Sequence, residues 1–534
     1  MKIRDLFPGM NPWFWVVFLI GIMAVTFPYV GFDFRFLPGD MGDTRFNIFV
    51  LEHAKQYFGR EISAYWNAGF MYPEAEVITY SENYLGAAPV FALFRWLGAD
   101  IFTAFQLWLL AITFLNYWAS YKLAEHLLNN KKTAAIAAFV YAFSLSITSQ
   151  MNHAQTFPRY AMPLSLLFLL LWLKDFKARD FALSVTLLVY QFYCGIYLGF
   201  MSAIPFGILF IFGLLTRWQH LLVRLKSMAD VPVYAGALML NLWLMLRLFL
   251  PYMRRAGHVG LQAFHDVSHS IPTPSSYLAA HPASIVYAPL HRLVDGYTAF
   301  WDHWIFPGGL ALAGFITVFI MLTVAVIKPK SKTGALFSPA LKWFFLAGFI
   351  IFFFYLRIDQ HSLYYFLHQL PGFGAMRAMT RIINIELLFI GMALAFAVTA
   401  VMNSVSAGVS RKNLVLAGFI ALLIVENLSH PTKIVRMEKA GIKERHEVLV
   451  GKMGHLPPGS IVSYEPDTMR TNAIFYQLDA MLAAQALHLI SVNGYTATSD
   501  HMYTPYWFEP STANRLHWFS RFPGMEDTKV HVIN

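Results

Sequence analysis

The feature that most constrains this chain is a succession of apolar runs, each close to the length of about 20 residues that an α-helix needs to cross a bilayer. They fall at about 13–30, 101–121, 134–150, 161–173, 181–197, 198–215, 229–250, 305–327, 341–356, 382–403 and 414–429. Roughly eleven crossings are expected. Composition agrees: 57% of the 534 residues are hydrophobic and 13% charged, about half the charge of a soluble domain. The first run follows Lys2 and Arg4, as a signal peptide would, yet no small-residue cleavage site follows and Phe32, Phe34 and Phe36 continue the apolar character. It reads as an uncleaved first span. The single cysteine, Cys194, excludes an internal disulfide.

The net charge of +10 is a topology signal. With the N-terminus inside, the short cytoplasmic segments collect Lys2, Arg4, Lys122, Lys131, Lys132, Lys174, Lys177, Arg179, Arg217, Arg224, Lys226, Lys328, Lys330, Lys332, Lys342, Arg411 and Lys412, against four acids. This is a positive-inside pattern, so a nucleic-acid partner is not expected. The other face then carries the long connections 31–100, 251–304 and 357–381 and the tail 430–534, where the polar and aromatic residues gather. The tail is neutral, with ten basic and ten acidic residues, a Pro457-Pro458-Gly459 turn, a strand predicted at 461–464 and a helix at 472–489. The expected fold is mainly α: a polytopic membrane helix bundle over 1–429, with interfacial helices in its outer loop 31–100, and a small outer-face α/β domain over 430–534.

Chemistry concentrates in a few places. Asp40 and Asp43 stand three apart on the Gly39–Thr44 turn, where they could act as a general base or hold a divalent cation such as Mg2+ or Mn2+. Alternatively, Asp43 caps a helix from Thr44 to Tyr57 and Asp40 shapes the turn. That helix carries Phe46, Phe49, Val50, His53 and Tyr57 near a 3.6 period and is expected to lie flat at the membrane interface. Arg377 and Arg381, one helical turn apart at the start of a span, form a candidate phosphate site, or snorkel to headgroups. Candidate substrate contacts are Glu82, Tyr84, His153, Gln155, Arg159, Asp302 and His303; His153 equally fits a structural histidine. Arg247, Glu386 and Glu426 fall inside spans, where an ionisable side chain is costly, and are expected to be paired or close to a helix end. No phosphate-binding G-x-x-x-x-G-K-[ST] loop, G-x-S-x-G elbow, H-E-x-x-H helix or CxxC pair occurs.

In order along the chain, the Gly-Asp turn at 39–43, Tyr72-Pro73, Glu82-Asn83-Tyr84-Leu85-Gly86, Tyr141-Ala142-Phe143-Ser144, His153-Ala154-Gln155, Pro163-Leu164, the Arg377/Arg381 segment after Pro371-Gly372 and Val492-Asn493-Gly494-Tyr495 resemble the GT-C integral membrane glycosyltransferases, in particular the bacterial YfhO-type group. The resemblance implies a polyprenyl-phosphate-linked sugar donor and a catalytic aspartate in the first outer loop, hence Asp40 or Asp43, with Arg377 and Arg381 on the donor phosphate. It implies an inverting hexosyl- or pentosyltransferase of the bacterial inner membrane, acting at the periplasmic face on a glycan, lipid or protein acceptor. The Trp-Trp-Asp acceptor motif of oligosaccharyltransferases is absent. The competing expectation, a lipid-linked sugar flippase or polysaccharide transporter, calls for internal repeats and broken helices at mid-membrane; no repeat is detectable in the sequence.

Overall fold

The computed structural model describes residues 11–534 except 226–229, 261, 405, 407, 467–471, 497–499 and 526. Lys2, Arg4 and Lys226 of the basic pattern lie outside the described residues. The long helices, in chain order, are α1 (Pro12–Gly21, prolonged through Val30), α2 (Asp43–Phe58), α3 (Ile101–Leu128), α4 (Lys131–Phe143), α5 (Ala161–Asp175), α6 (Ala178–Cys194) and α7 (Ile196–Leu225). There follow α8 (Val231–Val259), α9 (Gly309–Ile327), α10 (Pro339–Tyr355), α11 (Ile383–Ser404), α12 (Val409–Glu426) and α13 (Ala473–Ala486).

Several starts are written locally. Asp100 Oδ1 accepts the N–H groups of Phe102 and Thr103 (3.0 and 3.2 Å) to open α3, and Asn130 does the same for Lys132 and Thr133 ahead of α4. Ser338 caps α10, with Pro339 at its first position. Helix α11 is the hub, with every residue from Ile383 to Phe396 buried. Gly391 lets it meet the backbone of α4 at Ala137, and Gly314 of α9 lets that helix press on Leu394. Small residues at such contacts substitute close packing for the hydrophobic drive that lipid does not supply.

Among the described residues eight helical segments are long and apolar enough to cross a membrane. The helices α6 and α10 fall short of that measure at 17 residues each, and α12, at 18, carries three charged residues, Arg411, Lys412 and Glu426. Parity shows that they traverse the bundle nonetheless. The connections after α1, α4, α6, α8, α10 and α12 touch one another: Glu82 binds the turn at Ile196 and Tyr197, His153 approaches Asp302 and meets Asp43, Arg377 N–H reaches Tyr197, and Gly39 N–H reaches the Val435 carbonyl. Each pair of successive connections must therefore be separated by an out-and-back pair of helices. One lead helix and five helical hairpins make eleven, in line with the apolar runs. At the opposite end, Lys132 Nζ donates to Asn413 (2.6 Å) and Arg217 to the Leu173 and Lys174 carbonyls (2.6 and 3.0 Å), so the described basic loops collect there.

The tail adds the strands. With β1 (Phe36–Pro38) in the first connection, β2 (Arg436–Glu438) pairs antiparallel; β3 (Ile461–Tyr464) is the centre of a parallel sheet between β4 (Ile490–Ser491) and β5 (His531–Ile533). Helix α13 begins one residue after its cap, Asn472. Backbone bonds seat this sheet on the first connection, Ser491 N–H donating to the Gly69 carbonyl (2.8 Å) and Tyr72 N–H to that of Ser491 (3.1 Å).

One expectation fails here. Helix α2 does not lie at an interface; twelve of its sixteen residues are buried, packed against α13 and the helix Ala88–Trp96. Its polar face is covered because each polar group finds a protein partner: Glu52 binds Arg95 (2.7 Å), Gln56 the Gln485 carbonyl (3.2 Å), Arg45 the tail residue Asp479.

Candidate active site

The turn before α2 is a compact device. Gly39 takes φ +92°, and a Cβ there would collide with Thr44 Oγ1, which is held to the Pro38 carbonyl at 2.8 Å. Asp40 Oδ1 accepts from the backbone N–H groups of Gly42 and Asp43, both at 2.9 Å, so Asp40 does the capping and Asp43 is the first helical residue. Among the described residues Asp40 Oδ2 has no protein partner. Both oxygens of Asp43 are engaged: Tyr495 OH donates to Oδ1 (2.7 Å), and His153 Nδ1 stands 2.9 Å from Oδ2. The other ring nitrogen of His153 lies 3.6 Å from Asp302 Oδ1. The result is a line of alternating charge, Tyr495, Asp43, His153, Asp302, drawn from four separate connections.

Its electrostatics are self-consistent. Burial alone pushes His153 toward neutrality, but the Asp302 carboxylate 3.6 Å away and the hydrogen bond to Asp43 outweigh it and raise its pKa above the ordinary histidine value. Burial likewise works against ionisation of Asp43 and Asp302, and in both His153 reverses the outcome and holds the carboxyl below its ordinary range. Asp40 goes the other way: burial and the neighbouring Asp43 charge raise it. The two aspartates are thus unlike, one ionised with a partner on each oxygen, the other poised closer to protonation with an oxygen to spare.

Arg381 acts electrostatically on Asp43, Asp302, His153 and Glu82 from the same side. Its guanidinium lies over the Tyr197 ring (5.2 Å to the centroid), and among the described residues neither it nor Arg377 has a carboxylate at ion-pair distance. The two arginines do not share a helical face as the spacing suggested. Arg377 is in an extended stretch, and only a 3-10 turn, Met379–Ile382, precedes α11. Two hydroxyls pull that stretch out of the helix: Tyr197 OH accepts from Arg377 N–H (2.9 Å) and Ser270 Oγ from Met379 N–H (3.1 Å).

The remaining sequence candidates frame the site. Glu82 is buried and caps α7 by accepting from Ile196 and Tyr197 N–H; burial raises its pKa. Tyr84 OH donates to Asn47 (2.6 Å), which donates to Gln155 (3.2 Å). Arg159, fully buried, spends its guanidinium on the Tyr141 and Thr156 carbonyls (2.6 and 3.2 Å) and on Asn384 (3.3 Å). His303 gives its Nε2–H to the His269 carbonyl (2.9 Å) and so accepts from Ser276 at Nδ1 (2.7 Å); burial lowers its pKa to about 4. Among the described residues no three His, Cys, Asp or Glu side chains converge as a ligand set. Tyr495 and Tyr197 were not singled out from sequence as site residues. An Asn-Gly-Tyr segment gives no sign of reaching an aspartate 452 positions earlier.

No protein-family profile matches this chain, and no curated protein does. Among solved structures it is similar to the oligosaccharyltransferase AglB of Archaeoglobus fulgidus in complex with an inhibitory peptide and a dolichol-phosphate (13% identity, TM-score 0.43), and to the same enzyme in the apo form (10%, 0.47). It covers 64% of those chains with 90% of its own length. It is also similar to ArnT from Cupriavidus metallidurans bound to undecaprenyl phosphate (13%, 0.42), covering 86% of that chain with 90% of this one. A likeness at these scores carries no functional weight, and the chemistry has to be read from the side chains.

Proposed function

We propose that this chain is a membrane glycosyltransferase that moves a sugar from a polyprenyl-phosphate-linked donor to an acceptor hydroxyl. The observation that carries the reading is a carboxylate with a free oxygen, Asp40, on the same connection as an ionised array that lies in the field of Arg381. In the reaction, the acceptor oxygen attacks the sugar's C1 while Asp40 Oδ2 takes its proton. The bond from C1 to the phosphate oxygen breaks, and the electron pair leaves with the phosphate. Arg377 and Arg381 offset that charge, electrostatic help of the kind that usually dominates such a step. Displacement from the side opposite the phosphate inverts the anomeric centre. Asp43 and His153 stay bonded, with the Asp302 carboxylate beside the imidazole, and hold the turn that carries Asp40.

With the basic end in the cytoplasm, the site opens at the periplasmic face of a bacterial inner membrane, where a lipid-linked donor arrives within the bilayer. The acceptor is a hydroxyl of a glycan, lipid or protein. The test is sugar transfer from a polyprenyl-phosphate donor by the full chain in liposomes. Asp40→Asn should lose about 10²–10⁴ of the rate, the usual share of a general base; full activity in that variant overturns the assignment. Running the same assay with a chelator reads any cation requirement directly.

A further inference from the structure

Arg247 departs from what its place in a span demands. Glu386 accepts from Tyr277 OH at 2.9 Å, and Glu426 from Tyr287 OH and Leu310 N–H at 3.0 and 3.1 Å. Among the described residues Arg247 has no acceptor and no carboxylate at ion-pair distance, yet it is exposed on α8, the least buried of the eight apolar spans. Trp243 and Arg254 lie on the same helical face, four residues before and seven after. Arg254 is bonded to Glu76, which fixes the level of the site-end loops; Arg247 sits about 10 Å deeper at 1.5 Å per residue. An unpaired guanidinium at that depth is costly unless an anion comes to it.

The neighbourhood points from Arg247 to the site. Tyr193, at the end of α6, lies within its electrostatic reach and donates to the Leu244 carbonyl of α8 (2.8 Å). The Tyr193 carbonyl accepts from Gly86 N–H (2.7 Å), in the segment that carries Glu82. Four residues on, past the Gly195 corner, Tyr197 lies beneath Arg381 and holds Arg377 N–H. We infer that Arg247, at the seam of α6 and α8, is a docking station for the phosphate of a lipid, the polyprenyl phosphate of the donor, from which that phosphate passes to Arg377 and Arg381. A guanidinium suits this ligand because it meets phosphate oxygens bidentately. The identity of the lipid rests on the proposed function; the existence of the station does not.

The experiment is retention of added lipid by the full chain in micelles, read by native mass spectrometry, with polyprenyl monophosphate, phosphatidylglycerol and inorganic phosphate as separate probes. Arg247→Gln should weaken retention of polyprenyl monophosphate about tenfold, as expected for one lost charge-assisted contact, and Arg247→Lys should restore most of it. The thermal midpoint should not move, since the side chain holds no protein partner. Unchanged retention in Arg247→Gln overturns the station. An equal loss for phosphatidylglycerol or for inorganic phosphate overturns its assignment to the carrier lipid. Asp40→Asn should keep Arg247-dependent retention while losing transfer, so a failure of the proposed reaction and a failure of the station show up in different measurements.

Discussion

Replacing Asp479 by Asn removes one charge from the seam between the tail and the first connection. Asp479 is buried and serves two arginines: Arg45, whose side chain is 0% exposed, and Arg445, 37% exposed. Arg445 can turn to water, so its share of the loss is small. Arg45 cannot. Burial already pushes it down to about 10 even with Asp479 beside it, and stripping the partner from a buried pair costs about 3–5 kcal/mol. Arg45 keeps two acceptors, the Met41 carbonyl (2.7 Å) and that of Ile474 (3.3 Å), which favours the lower end, about 3 kcal/mol. The assay is release of the tail by urea, followed by limited proteolysis of the full chain in nanodiscs. The double variant Arg45→Met/Asp479→Leu should recover stability to within about 1 kcal/mol of the parent, since apolar replacements of a buried pair are often neutral. It should not recover transfer, because the Arg45 Nε bond to the turn between Asp40 and Asp43 is gone. A single-variant loss below about 1 kcal/mol, the range of exposed pairs, would refute the argument that this pair is sealed from water.

Four further outcomes follow from the charge line and the arginine that faces it. Asp302→Asn removes a bond that raises His153, so an NMR titration of the imidazole should move down toward or below the ordinary histidine value. In the parent, the stability that His153 contributes is present below pH 6.5 and lost as pH rises through its raised pKa, while that of Asp43 and Asp302 is present above pH 3.8 and lost on acidification through their lowered pKa values; the difference in thermal midpoint between the parent and His153→Asn should therefore shrink as pH rises through the His153 pKa. Tyr495→Phe takes one hydrogen bond from a charged acceptor, worth about 1.5–3 kcal/mol, and should raise the Asp43 pKa; an unchanged pH–rate profile would show that the tyrosine does not reach it in solution. Arg381→Gln should raise the apparent KM for donor more than it lowers the thermal midpoint, because no carboxylate is left unpaired.

The helices were legible because an apolar run of twenty residues has few alternatives: among the described residues, eight of the expected runs fall on helices long and apolar enough to cross a membrane. The fate of α2 was not. Phe46, Phe49 and Val50 announce a buried stripe, but Arg45, Glu52 and Gln56 opposite look the same whether water or another polar segment will cover them. The arginine pair failed for a related reason: spacing of four implies one face only if the helix has begun, and the hydroxyls of Tyr197 and Ser270, distant in sequence, postpone it. Asp40 and Asp43 were found from a Gly-rich turn, yet their division of labour depends on His153, Asp302 and Tyr495. Those meet through tertiary contact alone.

The line from Tyr495 to Asp302 also has an order of manufacture. A ribosome delivers Asp43 first and Tyr495 452 residues afterwards, with the five helical hairpins of the described residues made between them. Until the tail is made, Asp43 lacks one of its two donors and Arg45 lacks its counter-ion, so a partly translated chain holds the aspartates without the setting that tunes them. The segment that brings Tyr495 to Asp43 and Asp479 to Arg45 therefore completes the charge line and the buried ion pair together.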